Sequence, residues 1–177
     1  MPFLDDEEMN VIKRNGEKEI VSFDKILQRI KKTGTEANIH LNYTALTMKV
    51  IDQLYDGIST TQIDELTADQ CASLASTHPD YNSLAGRIII SNHQKNTEPT
   101  FSQVITKLFH FKDKHNICSP LVSQELYDIV MNDKDNIDNL CEYSRDYFID
   151  YFGFKTLERA YLMKIGNEIV ERPQHMW

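Results

Sequence analysis

The sequence predicts a mainly helical α+β fold, a β-hairpin set on four helices and followed by a second helical segment. Three observations predict it. An Asn-Gly turn lies between two β-prone runs, amphipathic helical stretches follow in succession, and a polar, proline-bearing break, Asn96 to Thr100, separates them from a fresh aromatic periodicity. A chain of 177 residues can bury a core of this kind without disulfides or a structural metal.

The expected elements run in order from residue 11, after an acidic leader over residues 1–10 that reads as frayed and disordered. In V-I-K-R-N-G-E-K-E-I-V-S-F-D-K-I, Asn15-Gly16 suits a type I′ turn, since both residues tolerate positive φ. A two-residue turn would oppose Arg14 to Glu17 and Lys13 to Lys18. Like charges placed opposite each other are destabilising, and a bound anion would relieve that. Lys25, in the first turn of the next helix, would add a third cation. The competing reading is a solvated sheet edge defended by lysines.

Ser22 is the expected N-cap of a helix holding Ile26, Leu27 and Ile30, with Lys31 and Lys32 near its end and Gly34 beyond it. A second helix is expected from about Tyr43 to Tyr55, stopped by Gly57. Ser59 and Gln62 have the spacing of a capping box, and Ile58 and Ile63 that of a hydrophobic staple, so a third helix should start at Thr60 and turn Leu66, Cys71 and Leu74 inward. Thr60, Thr61 and Asp64 then share a helix N-terminus, which suits a phosphate or a hydroxyl-rich ligand as well as ordinary capping. A fourth helix follows His78-Pro79-Asp80, with Leu84, Ile88 and Ile89 apolar and Lys95 near its polar end. Beyond the break, Phe101 to Phe111 is helical in period, and Ser119-Pro120 supplies an N-cap and N1 proline for a helix with Leu121, Val122, Leu126, Ile129 and Val130. An amphipathic piece, Ile137 to Tyr143, leads to Y-F-I-D-Y-F-G-F, an aromatic cluster that asks for a partner surface.

A net charge of −8 argues against a nucleic-acid-binding protein, so any phosphate site must be local. There is no secretory signal and no apolar run of transmembrane length, which points to a soluble, cytoplasmic protein. Cys71, Cys118 and Cys141 have neither zinc spacing nor an even count, and the six histidines form no H-E-x-x-H pattern. Neither a P-loop, a dinucleotide fingerprint nor a nucleophile elbow occurs. No catalytic centre has local support.

The motifs V-I-K-R-N-G, F-D-K-I, M-K-V-I-x-x-L-Y-x-G, H-P-D-Y, D-Y-F-G-F-K-T-L-E-R-A-Y-L and E-R-P-Q-H-M resemble the start of class I ribonucleotide reductase large subunits, in the eukaryotic and large-virus type. The resemblance implies an ATP cone over residues 11–96, a hairpin over a helical bundle that binds ATP as activator or dATP as inhibitor, with Mg2+. It makes residues 101–177 a helical segment preceding a ten-stranded α/β barrel. The sequence stops at Trp177, and Cys71, Cys118 and Cys141 match none of that family's catalytic cysteines. By itself the chain is therefore not expected to reduce nucleotides.

Carried over position by position, the nucleotide contacts implied by the resemblance fall on Val11, Lys13 and Arg14, on Glu19, Ile20, Val21, Ser22, Phe23, Asp24 and Lys25, and on Thr60, Asp64 and Lys95. The basic ones would hold phosphates, Glu19 would accept from the adenine amino group, and Thr60 and Asp64 would sense the nucleotide near sugar and phosphates. Since ATP and dATP differ by one hydroxyl, a hydrogen bond of about 0.5–1.5 kcal/mol gives at most roughly tenfold discrimination, and opposite outputs must come from conformation. The implied partners are adenine nucleotides, the rest of the large subunit, other large subunits in effector-dependent oligomers and a small radical-bearing subunit. Neither nucleic acid nor membrane is expected. The alternative is a helical interaction domain whose degenerate cone no longer binds nucleotide.

Overall fold

The computed structural model describes residues 9–177, so most of the acidic leader lies outside the described residues. The chain divides into two compact units, Met1–Asn92 and His93–Trp177.

In the first unit, β1 (Asn10–Ile12) and β2 (Lys18–Ile20) form the antiparallel hairpin, with Asn10 opposite Ile20, Val11 opposite Glu19 and Ile12 opposite Lys18. The expected register is one residue out. Gly16 N–H donates to the Lys13 carbonyl and Lys13 N–H to the Glu17 carbonyl, at 2.9 and 2.8 Å, which closes a three-residue loop. Gly16 alone is left-handed, at φ +84°, while Asn15 keeps negative φ and accepts from Glu17 N–H at 3.1 Å. A type I turn followed by one left-handed glycine needs one special residue where type I′ needs two. Lys13 therefore faces Glu17 rather than Lys18, and the expected like-charge opposition is not there.

Ser22 caps α1 (Phe23–Thr35), accepting from Lys25 N–H, and Ile26 and Ile30 are buried. Gly34 lies inside this helix rather than beyond it: the Tyr43 ring packs where its Cβ would be, and Asn38, at φ 55°, takes the left-handed position. Asn42 caps α2 (Tyr43–Ile51), which stops short of Tyr55. Gly57, at φ +78°, instead turns the chain into a strand that sequence did not reveal, β3 (Ile58–Ser59). This strand pairs parallel to β1, Val11 beside Ile58 and Ile12 beside Ser59, and makes the sheet order β2-β1-β3.

The capping box of Ser59 and Gln62 is formed, and both staple residues, Ile58 and Ile63, are buried under α3 (Thr60–Ser73). The buried stripe of α3 is Asp64, Thr67, Ala68 and Cys71, with Leu66 and Leu74 only half-buried. Burial pushes the Cys71 thiol up to about 12, which keeps it protonated and inert. Finally, α4 (Pro79–Asn96) buries Leu84, Ala85, Ile88 and Ile89, and the division between the units falls near its end.

The second unit holds α5 (Phe101–Phe109), α6 (Gln124–Asn132), α7 (Lys134–Leu140), a 3-10 segment (Tyr143–Phe148), α8 (Tyr151–Ala160), a hairpin of β4 (Lys164–Ile165) with β5 (Glu168–Ile169), and α9 (Pro173–Met176). Ser123, not Ser119, caps α6, because its hydroxyl accepts from Leu126 N–H whereas Leu121 N–H is taken by the Leu108 carbonyl. The closing motif packs as structure. Arg172 donates to the Gln94 and Thr97 carbonyls at 2.8 and 3.1 Å, capping the end of α4. The Glu171 carbonyl meets His93 Nε2 at 2.8 Å, and His175 Nε2 meets the Tyr143 hydroxyl at 2.9 Å. The aromatic run splits its roles: Tyr151 and Phe154 are buried, while Phe148 is 89% exposed. No helix among the described residues is long and apolar enough to cross a membrane.

Candidate functional site

Two charge clusters meet at the hairpin of the first unit, and the register explains the first. Because Val11 opposes Glu19 and Lys13 opposes Glu17, Lys13 and Glu19 lie diagonally on one face of the ribbon. Glu19 forms ion pairs with Lys13 and with Lys25, the latter reaching from the first turn of α1. Two of the cations singled out from sequence thus converge on the carboxylate of a third such residue, Glu19.

The second cluster is better buried. Asp64 is 6% exposed because it lies on the inward stripe of α3, and a carboxylate there requires cations. Arg14, from the hairpin loop, places Nη2 3.2 Å from Asp64 Oδ2 and also donates to Asn92 Oδ1. Arg29, from the middle of α1, places Nε 3.3 Å from Oδ1 and Nη2 3.4 Å from Oδ2. It donates further to Thr33 Oγ1 and Ser91 Oγ, at 3.2 and 2.9 Å. Asn92 in turn donates to the Thr61 carbonyl in the first turn of α3, at 3.3 Å. The hairpin loop, α1, α3 and α4 are therefore tied through one polar knot.

The remaining sequence-predicted positions surround these clusters or lie apart from them. Val11 is buried, and Val21 N–H donates to the Met9 carbonyl. Ile20 and Phe23 stand 54% and 52% exposed, with Ser22 between them as the α1 cap and Asp24 in its first turn. Thr60 opens α3, next in register to Lys13 because β3 pairs with β1. Lys95 lies on α4 past Asn92 and belongs to the second unit.

Sequence reasoning missed Arg29, Ser91 and Asn92. One signal was available: Asp64 shares its helical face with Thr67, Ala68 and Cys71, and Arg29 lies among Ile26, Ile30 and Thr33 on α1. Opposite charges at two core-facing positions ask for each other. Lys13, Arg14, Lys25 and Arg29 are thus paired with Glu19 and Asp64 around the hairpin, with Glu17 opposite Lys13 and Asp24 in the first turn of α1. Among the described residues no group of three or more His, Cys, Asp or Glu is placed to hold a metal ion.

Residues 9–96 match the family model of the ATP cone domain, which defines the first unit as a cone. Over 168 residues, 95% of this chain, the sequence is 45% identical to the ribonucleoside-diphosphate reductase large chain of Cryptosporidium parvum. Over 170 residues it is 44% identical to the large subunit of Arabidopsis thaliana and 48% identical to that of Monkeypox virus. The chain spans about a fifth of the length of these relatives, 21–22%. It belongs to the ribonucleoside-diphosphate reductase large-subunit family, in the type shared by eukaryotes and poxviruses, and carries that family's allosteric cone region.

Proposed function

We propose that the cone binds ATP or dATP as an allosteric effector at the hairpin face, and that the chain serves as the overall-activity switch of a ribonucleoside-diphosphate reductase. The observation that carries this reading is that one hairpin and the helix after it bring together three cations, Lys13 and Lys25 paired with Glu19 and Arg14 paired with Asp64, within a matched ATP cone. Such a cluster provides the charge-assisted donors that a triphosphate requires. In this reading Lys13, Arg14 and Lys25 serve the phosphates, with Mg2+ held mainly by phosphate oxygens and water. The stretch Glu19, Ile20, Val21, Ser22, Phe23 and Asp24 frames the base and sugar with Val11, and Thr60 and Asp64 report the nucleotide at the start of α3. The exposed faces of Ile20 and Phe23 offer apolar surface for a purine ring.

A ligand shifts a switch only through its differential affinity for two states. ATP and dATP would accordingly select different assemblies of the whole large subunit and alter its engagement with the radical-bearing small subunit. Reduction of nucleoside diphosphates would belong to that whole protein. Calorimetric titration with ATP and dATP tests the binding step. Saturable binding of both is expected; its absence would favour a helical interaction domain with a silent cone.

A further inference from the structure

We propose that Asp64 and Arg29 are a positioning pair that makes Arg14 available to the bound anion, a regulation of the cone site that rests on the adenine-nucleotide reading above. Asp64 is nearly buried and Arg29 lies across both of its carboxylate oxygens, at 3.3 and 3.4 Å. Arg29 is itself anchored on Thr33 and Ser91, so it is held in place whatever Arg14 does. Arg14 approaches the same carboxylate from the hairpin loop, through an Nη2 that it also gives to Asn92.

One carboxylate shared by two guanidiniums is more than neutralised. When Arg14 turns to a phosphate, Asp64 keeps Arg29 and no buried charge is left uncompensated. Without Arg29, the phosphate would have to strip Arg14 from a buried carboxylate, which is strongly unfavourable. Arg29 thus sets nucleotide affinity without touching nucleotide. Departure of Arg14 also breaks its bond to Asn92 Oδ1, and the Asn92 amide holds the Thr61 carbonyl, so occupancy of the site is felt where α4 meets the start of α3.

The test is a double-mutant cycle read by ATP calorimetry on the full chain, with thermal unfolding run on every variant. Arg29→Met is expected to weaken ATP about tenfold while Asp64 is present, and by less than about threefold in the Asp64→Asn background, where no buried charge needs a partner. Arg29→Lys, which keeps the charge but not the two-oxygen geometry, is expected to fall between. If Arg29→Met alone does not fold, the comparison of Asp64→Asn with Asp64→Asn/Arg29→Met decides, with near-equal affinity expected. A loss of about tenfold between those two would make Arg29 a direct contact or a purely structural residue and overturn the proposal. Failure of the unsubstituted chain to bind ATP would overturn the nucleotide reading, and this inference with it, whereas binding with a failed cycle overturns this inference alone.

Discussion

Arg29 lies across both carboxylate oxygens of Asp64, an ion pair linking the middle of α1 to the buried face of α3. The pair bridges the two helices with a nearly buried carboxylate at one end, so its loss is felt as stability. Asp64→Ala is expected to destabilise the first unit by about 3 kcal/mol, since it leaves two guanidiniums facing each other in a partly buried place. Chemical denaturation checks this, and a change below about 0.5 kcal/mol would show that the knot contributes little.

Gly16 closes the hairpin in a left-handed conformation with nothing within 4 Å of where a Cβ would stand. The penalty for a side chain there is therefore conformational alone. Gly16→Val is expected to cost about 1–2 kcal/mol and Gly16→Asn clearly less, because Asn tolerates left-handed backbone. Equal unfolding free energies for the two variants would contradict the one-glycine turn.

Gly34 differs from Gly16, since the Tyr43 ring occupies the place of its Cβ, with Cε1 2.7 Å away. In an open helix Gly→Ala stabilises by about 0.5–1 kcal/mol. Here Gly34→Ala is expected to destabilise by about 1–3 kcal/mol through overpacking, and pairing it with Tyr43→Leu should recover part of the loss. Thermal unfolding of the single and double variants distinguishes these signs.

Burial, and then the neighbouring Arg172, hold the His175 imidazole down at about 4. The ring is fixed neutral, as Arg172 N–H donates to Nδ1 at 3.1 Å while Nε2 meets the Tyr143 hydroxyl. Below the ordinary histidine value of about 6.5 the unfolded chain takes up a proton that the folded chain refuses, so stability falls as pH drops from about 6.5 toward 4. His93, also lowered by burial, adds in the same direction. Glu171, raised by burial, acts oppositely, because the folded state takes up its proton at higher pH than the unfolded chain does. His175→Gln is expected to flatten the fall in unfolding free energy between pH 6.5 and 4 by up to ~3 kcal/mol at the acid end. An unchanged slope would contradict a buried neutral His175.

How much of this was legible in the sequence depends on how local each cause is. The capping box at Ser59 and Gln62 and the Ser22 cap were readable because each is a contact between residues three apart. The hairpin was readable too, but not its register, since Asn-Gly serves more than one turn and the conformation of Asn15 decides between them. Gly34 and Gly57 looked like helix stops, yet one admits the Tyr43 ring and the other turns the chain into β3, uses that only tertiary neighbours define. A two-residue strand such as β3 leaves no periodicity to find. Within the site, Lys13, Arg14 and Lys25 stood out by charge near a turn, whereas Arg29 and Asn92 acquire their roles only when α1, α3 and α4 are packed together.

The most direct measurement of the central claim is calorimetric titration of ATP and dATP into the intact chain and into the Lys13→Ala/Arg14→Ala variant. The intact chain is expected to bind both nucleotides saturably with affinities within roughly tenfold of each other, and the variant to lose about 100-fold or more through two charge-assisted contacts. Unchanged affinity in the variant, or no saturable binding by the intact chain, would contradict the assignment of an adenine-nucleotide site to this hairpin.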